Sequence, residues 1–231
     1  MTFIPDCSEL SLLGHVVAHL GWEVSARWRS LRKMEADVAK YPKIWFLRHG
    51  QTEWNAEHRL QGQLDSPLTG QGIADARRQA VLMSPVLVDR PVCVASPLGR
   101  ARHTAEIALG ETPFATDPLL MEIHSGAWQG HRRDDILAEN RELAQRNPNG
   151  LELYAAAPQG EGFAAFKTRI VAFLDTLSVP TVVVAHGLLG QVLRGYICGL
   201  DRAGMGALSN QQGCVYLLEN GTETVLELSR T

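Results

Sequence analysis

The sequence has little cysteine, no excess of positive charge and no long apolar run. Its four cysteines, Cys7, Cys93, Cys198 and Cys214, are far apart, and no two have the close spacing of a zinc or redox pair. That excludes a disulfide framework and fits free thiols in a reducing, cytoplasmic setting. No apolar stretch approaches the ~20 residues needed to span a bilayer, each candidate being broken by His, Gly or charge. The N-terminus lacks the basic region of a signal peptide, since residues 2–10 carry Asp6 and Glu9 instead. A protein with no membrane span, retained in the cell, is expected. Lys and Arg, 22, are outnumbered by Asp and Glu, 25, for a net charge of −3. No general basic field exists to hold nucleic acid or an acidic lipid surface, which leaves room only for a local basic pocket. Internal repeats and low-complexity tracts are also missing.

What is present is an ordinary globular chain of 231 residues, 45% apolar and 20% charged. It is long enough to bury a proper core without staples. Residues 1–42 differ from the rest, with a Leu/Val/Ala/His stretch followed by Trp22, Trp28 and a cluster of Arg27, Arg29, Arg32 and Lys33. They read as an extension of one or two short amphipathic helices, either dispensable or the product of a misassigned start, because Met34 stands just ahead of the first strong strand. Residues 43–231 read as one domain in which strands and helices alternate, the pattern of an α/β fold with a largely parallel sheet. Strands are expected at 43–47, 92–95 and 181–185, and helices at 70–83, 97–109, 162–177 and 188–200. Thr69 and Ser96 are the expected N-caps of the first two helices, with Pro97 at the first helical position of the second. A hairpin turned by Asn220-Gly221 closes the chain. Residues 125–160 form a polar stretch with two or three weak helices, the expected lid.

Three of these strands finish on polar, cationic or imidazole residues: Arg48-His49-Gly50, Ser96-Pro97-Leu98-Gly99-Arg100 and His186-Gly187. Ligands of open α/β sheets bind at the carboxyl ends of strands, so three distant pieces of sequence converge on one pocket. Gly50 and Gly187 allow a sharp turn and close approach there. Arg100 falls in a first helical turn, where free N–H groups favour an anion. Two guanidiniums beside two imidazoles would repel a divalent metal but match phosphate oxygens. No metal and no cofactor is expected. A neutral imidazole is a competent nucleophile toward phosphorus, and Arg48 beside His49 would keep it neutral near pH 7.

The run from Phe46 to Asn55, Phe-Leu-Arg-His-Gly-Gln-Thr-Glu-Trp-Asn, resembles the signature of the histidine phosphatase (phosphoglycerate mutase-like) superfamily. Arg59-Leu60-Gln61-Gly62, Asp65-Ser66-Pro67-Leu68-Thr69, the Ser96 to Ala105 segment, Glu122 to Gly130 and Ala185-His186-Gly187 extend the likeness in the family's order. The resemblance implies a three-layer α/β/α fold with a mixed, mostly parallel sheet, and a metal-free reaction through a phosphohistidine. It implies that His49 is phosphorylated, that Arg48, Arg100 and His186 hold phosphoryl oxygens, and that Glu122 is the general acid. An alkoxide is a poor leaving group, so a carboxylic acid must protonate it and then, as carboxylate, activate water. A phosphate dianion beside Glu122 favours the protonated form. Asn55, Gln61, Gly62, Arg102 and Gly187 occupy positions where the family makes further substrate contacts.

Departures from the family pattern are Gly162, in Pro-Gln-Gly-Glu-Gly where Pro-Gly-Gly-Glu-Ser is usual, and Gln129 in place of a frequent glutamate. Glu122 and His186 are 64 positions apart. Primer-dependent phosphoglycerate mutases resemble this pattern with a longer insertion in that interval, so the short phosphatase-type branch fits better. The expectation is a phosphatase acting on a small phosphorylated metabolite, with a mutase as the alternative and a weak phosphate-binding regulatory protein as the alternative from another class. His58, His103, His124 and His131 read as surface or structural residues, and His15 with His19 lacks a third metal ligand. Trp128 reads as a lid-packing aromatic and Glu161 as a cap or brace of the helix that follows. Substrate identity and oligomeric state are not set by these residues.

Overall fold

The computed structural model describes residues 40–228. The helices expected in the first 39 residues lie outside the described residues. β1 spans Ile44–Arg48, β2 Val92–Ala95, β3 Ala115–Thr116, β4 Thr181–Ala185, β5 Val215–Glu219 and β6 Thr222–Leu226. They form one sheet in the order β3-β2-β4-β1-β5-β6, in which the first four strands are parallel and β5 and β6 antiparallel. All five residues of β4 are buried, as a central parallel strand covered on both faces requires. Its side chains alternate: Val182 and Val184 join one core, Val183 and Ala185 the other.

The two cores are made by helices on opposite faces. Helices α2 (Gly70–Leu87) and α3 (Gly99–Leu109) supply Met83, Ala105, Ala108 and Leu109 to one. Helices α7 (Gly162–Leu174) and α8 (Gly187–Ile197) supply Phe166, Ile170, Phe173, Leu189 and Val192 to the other. The architecture is therefore three layers around a mixed, mostly parallel sheet. A short α1 (Glu53–Ala56) follows β1, and α9 (Arg202–Ala207) precedes β5. Between β3 and α7 lie α4 (Arg133–Glu139), α5 (Arg141–Gln145) and α6 (Gly150–Ala155), the three weak helices of the expected lid. They close over a satellite cluster of Leu60, Ile136 and Leu153, against which Trp128 packs. The closing hairpin turns on Asn220 and Gly221 with φ of 52° and 72°, the left-handed pair a tight primed turn demands.

One expected cap is corrected. Thr69 does cap α2, accepting from Gly72 N–H at 3.1 Å. Ser96 does not cap α3, which starts after Leu98 with no side-chain cap of its own. The Ser96 hydroxyl accepts Leu98 N–H at 3.3 Å, ahead of the helix, and lies 2.7 Å from Nε2 of His186. The first turn of α3 is served from outside, Arg100 N–H donating to Asp65 Oδ1 at 3.2 Å. A carboxylate of the chain thus takes the place at that helix start expected for a bound anion.

No described helix is long and apolar enough to cross a membrane. Cys93, Cys198 and Cys214 are free thiols.

Candidate active site

The parallel register of β1 and β4 sets Arg48 beside Ala185, so His49 and His186 leave the sheet at one edge. His49 N–H donates to Ala185 O at 2.9 Å, and the two rings stand 5.3 Å apart between centroids at 60°. From α3, Thr104 Oγ1 accepts Gly50 N–H at 3.1 Å, tying the end of β1 to the helix that carries Arg100. Backbone crowding demands the glycine after His49, and the glycine after His186 leaves room for the side chains of Asn210 and Arg48. A Cβ on Gly50 would lie 2.1 Å from Gly72 O, and one on Gly187 would lie 2.6 Å from Asn210 Nδ2 and 3.1 Å from Arg48 Nε.

The ring of His49 is oriented at both nitrogens. Nδ1 faces Gly50 O at 2.8 Å, and Arg100 donates from Nε to Nε2 at 3.3 Å. A carbonyl only accepts and a guanidinium only donates, so Nδ1 carries the proton and Nε2 keeps its lone pair. Burial pulls the His49 pKa well below the usual 6.5, with the charges of Arg100 and then Arg48 adding to it. The direction favours a neutral imidazole, with desolvation as the main cause and Arg100 acting ahead of Arg48. His186 is likewise lowered, by burial first and Arg100 second.

Arg100 is held on every side: Nη2 donates to Gly62 O at 2.8 Å and Nη1 to Leu64 O at 2.7 Å, with Asp65 Oδ1 3.2 Å from Nη1. Arg48 donates from Nη1 to Asn210 O. Its Nε and the Nδ1 of His186 are buried and have no partner within the protein. Burial lowers the pKa of both guanidiniums, with the charge of Glu122 acting in the opposite direction. Glu122 itself is buried, accepting at Oε1 from Ile123 N–H and Leu189 N–H and at Oε2 from Leu188 N–H, each at 3.0 Å. It sits on the first turn of α8, where the helix dipole favours negative charge.

Of the remaining expected residues, Gln61 is buried and donates from Nε2 to Thr52 Oγ1 at 2.7 Å, its Oε1 unpartnered. Gly62 presents its carbonyl to Arg100. Asn55 belongs to the capping box of α1, and its Oδ1 lies 3.4 Å from Gln212 Nε2. Arg102 is not drawn into this group. Its side chain is 55% exposed and lies 4.0 Å from Glu106, one turn along α3. Helical geometry explains the correction, since Arg100 on the buried face directs Arg102 to solvent.

Several participants are given no role in the site by the sequence. Asp65 clamps Arg100, Ser96 holds His186, and Gln212 donates to His49 O at 3.0 Å. The polar run 209–213 ahead of β5 was the available signal for Asn210 and Gln212. Tyr154 reaches in from the lid helix α6, its hydroxyl accepting Gln61 N–H at 3.3 Å. Burial, with the Glu122 charge second, pushes that phenol well up and keeps it protonated. The described residues hold no group of three His, Cys, Asp or Glu side chains arranged to bind a metal ion. Two cations and two imidazoles whose pKa values burial lowers, around buried nitrogens with no protein partner, have the chemistry to receive a phosphate-like oxyanion.

Residues 44–229 match the histidine phosphatase superfamily (branch 1). A probable phosphoglycerate mutase GpmB of Yersinia pestis is 35% identical over 168 residues, covering 68% of this chain and 75% of that one. Among solved structures, a putative alpha-ribazole-5'-P phosphatase from Escherichia coli K-12 superposes with a TM-score of 0.67 at 27% identity, covering 82% of this chain and 97% of that one. Bacillus stearothermophilus YhfR gives 0.68 at 29% identity, with 80% and 96% covered.

Proposed function

The chain belongs to the histidine phosphatase superfamily, and from that premise we propose that it hydrolyses small phosphomonoesters without a metal, through a phosphohistidine at His49. The observation that carries the reading is the fixed tautomer of His49. Gly50 O on Nδ1 and Arg100 on Nε2 place the lone pair on Nε2, which becomes the nucleophile when the Arg100 Nε–H that it accepts turns to a phosphoryl oxygen.

Nε2 attacks phosphorus as the ester oxygen departs. Arg48 Nε and His186 Nδ1, the unmet buried donors, take the phosphoryl oxygens. For His186 to donate there, the Ser96 hydroxyl donates its hydrogen bond to Nε2, and the ring proton sits on Nδ1. Glu122 Oε2 accepts a single backbone N–H and keeps a lone pair for the proton that the alkoxide receives. As carboxylate, Glu122 then takes a proton from the water that cleaves phosphohistidine. A protein that merely held phosphate would have no use for this acid. Free thiols at Cys93, Cys198 and Cys214 agree with a cytoplasmic setting.

The test is turnover of p-nitrophenyl phosphate in excess EDTA. Activity is expected to persist with EDTA and to vanish in His49→Ala; the opposite result in either arm overturns the mechanism. The likeness to a probable phosphoglycerate mutase favours a second reading, phosphoryl transfer between 2- and 3-phosphoglycerate. Supplying 3-phosphoglycerate with and without 2,3-bisphosphoglycerate separates them. Inorganic phosphate release supports hydrolysis, and primer-dependent 2-phosphoglycerate supports transfer.

A further inference from the structure

Glu122 is carried by a segment without regular structure, between a single 3-10 turn at Pro118–Leu120 and another at Gly126–Trp128. Such a segment does not hold its own backbone, yet proton donation depends on its position to within about an ångström. The fixing comes from α7. Arg169 donates from Nη1 to Leu119 O at 2.6 Å and from Nη2 to Glu122 O at 3.0 Å. The same guanidinium grips Glu161, with Nε 2.5 Å from Oε1 and Nη2 3.1 Å from Oε2. Glu161 in turn accepts His124 N–H on Oε2 at 3.2 Å, while its backbone N–H donates to His124 O at 2.9 Å. Both side chains are about five-sixths buried, at 16% and 15% exposed. Glu161 makes no side-chain bond to the start of α7, although it stands at the N-cap, so capping does not account for it.

We propose that Arg169 and Glu161 are positioning residues for the proton donor, a two-sided clamp that holds the backbone on either side of Glu122 and so sets where its carboxyl meets the leaving oxygen. This rests on the reading of Glu122 as general acid. The planar fork of arginine suits the task, because one group must reach two carbonyls and a carboxylate together. A lysine has a single nitrogen and satisfies only part of the set.

Leaving-group dependence reads this directly. A good leaving group such as p-nitrophenolate departs with little help, whereas p-methylphenolate needs the proton. With kcat/KM, which reports transfer to His49, Arg169→Met is expected to lose about tenfold more on p-methylphenyl phosphate than on p-nitrophenyl phosphate. Glu161→Gln should steepen the dependence in the same sense, and Arg169→Lys should fall between wild type and Arg169→Met. Equal proportional losses on both esters, or none, would show a structural brace only and overturn the inference. Should Arg169→Met fail to fold, Arg169→Lys and Glu161→Gln carry the same comparison. Glu122→Gln keeps the two levels apart. An unchanged slope there refutes the acid itself, while a steep slope there with flat Arg169 and Glu161 variants refutes the clamp alone.

Discussion

Arg100 donates from Nε to Nε2 of His49 at 3.3 Å while its two terminal nitrogens are committed to Gly62, Leu64 and Asp65. The guanidinium is therefore a fixed part of the wall, and the nucleophile is aligned before any substrate arrives. Pre-set charge of this kind needs no reorganisation when the reaction occurs.

Arg100→Lys tests that alignment. One ammonium cannot meet two carbonyls, a carboxylate and an imidazole at once. The expected loss is about 10²–10³ in kcat/KM, the scale of removing one pre-set donor. A loss below threefold would show that positive charge alone suffices.

The histidines give a signed pH dependence of stability. Burial and then Arg100 hold both His49 and His186 well below 6.5 in the folded chain. As pH falls through 6.5, the unfolded chain takes up protons that the folded one refuses, so stability is full above that value and declines below it. The slope reaches up to about 1.4 kcal/mol per pH unit for each histidine. Urea unfolding at pH 7.5 and 5.5 checks this, and the double variant His49→Gln, His186→Gln should respond less to pH. An equal response in the two proteins contradicts the assignment.

Much of this was legible in the sequence, for identifiable reasons. The β-branched run 181–185 is buried on both faces, so composition alone marks it, while 92–95 buries Cys93 and Ala95 and leaves Val92 exposed; Asn220-Gly221 meets a strict conformational demand. Arg48, His49, Arg100, Glu122 and His186 come together because strand ends and a helix start carry four of them and a loop the fifth. What was not legible depends on side-chain direction and on partners distant in sequence. Ser96 fits a cap pattern, yet its hydroxyl goes to a histidine 90 positions away. Arg102 has the right chemistry two residues from Arg100, and helical rotation sends it to solvent. Arg169 and Glu161 have no local signature of a clamp, because the backbone groups they hold are 37 to 50 positions distant.

Ser96→Ala removes the neighbour of His186 Nε2 while leaving the backbone of β2 in place. The imidazole then loses the bond that fixes its proton and ring angle, and kcat/KM should fall about tenfold, the lower end of effects from ligand-orienting partners. Ser96→Thr, which restores the hydroxyl, should recover part of it. Full activity in Ser96→Ala would remove Ser96 from the site.

Arg194 supports the other side of the pocket. It is 1% exposed, grips both oxygens of Glu223, bonds Ser209 O, and its guanidinium carbon lies 3.8 Å from the centroid of the Tyr216 ring. The Tyr216 hydroxyl in turn accepts Gln211 N–H at 2.8 Å, and burial raises that phenol to about 12. Both thus anchor the 209–212 loop that supplies Asn210 to Arg48 and Gln212 to His49. Arg194→Met leaves Glu223 unpaired and should cost about 3–5 kcal/mol in chemical denaturation. A cost under 1 kcal/mol would mean that the buried ion pair contributes little.

The most direct test of the central claim is to quench the protein during turnover of a phosphomonoester and map the phosphate by mass spectrometry under alkaline conditions, where phosphohistidine survives. One phosphoryl group is expected on His49, absent in His49→Ala and longer-lived in Glu122→Gln. Turnover with no phosphorylated residue, or with the phosphate on a residue other than His49, would contradict it.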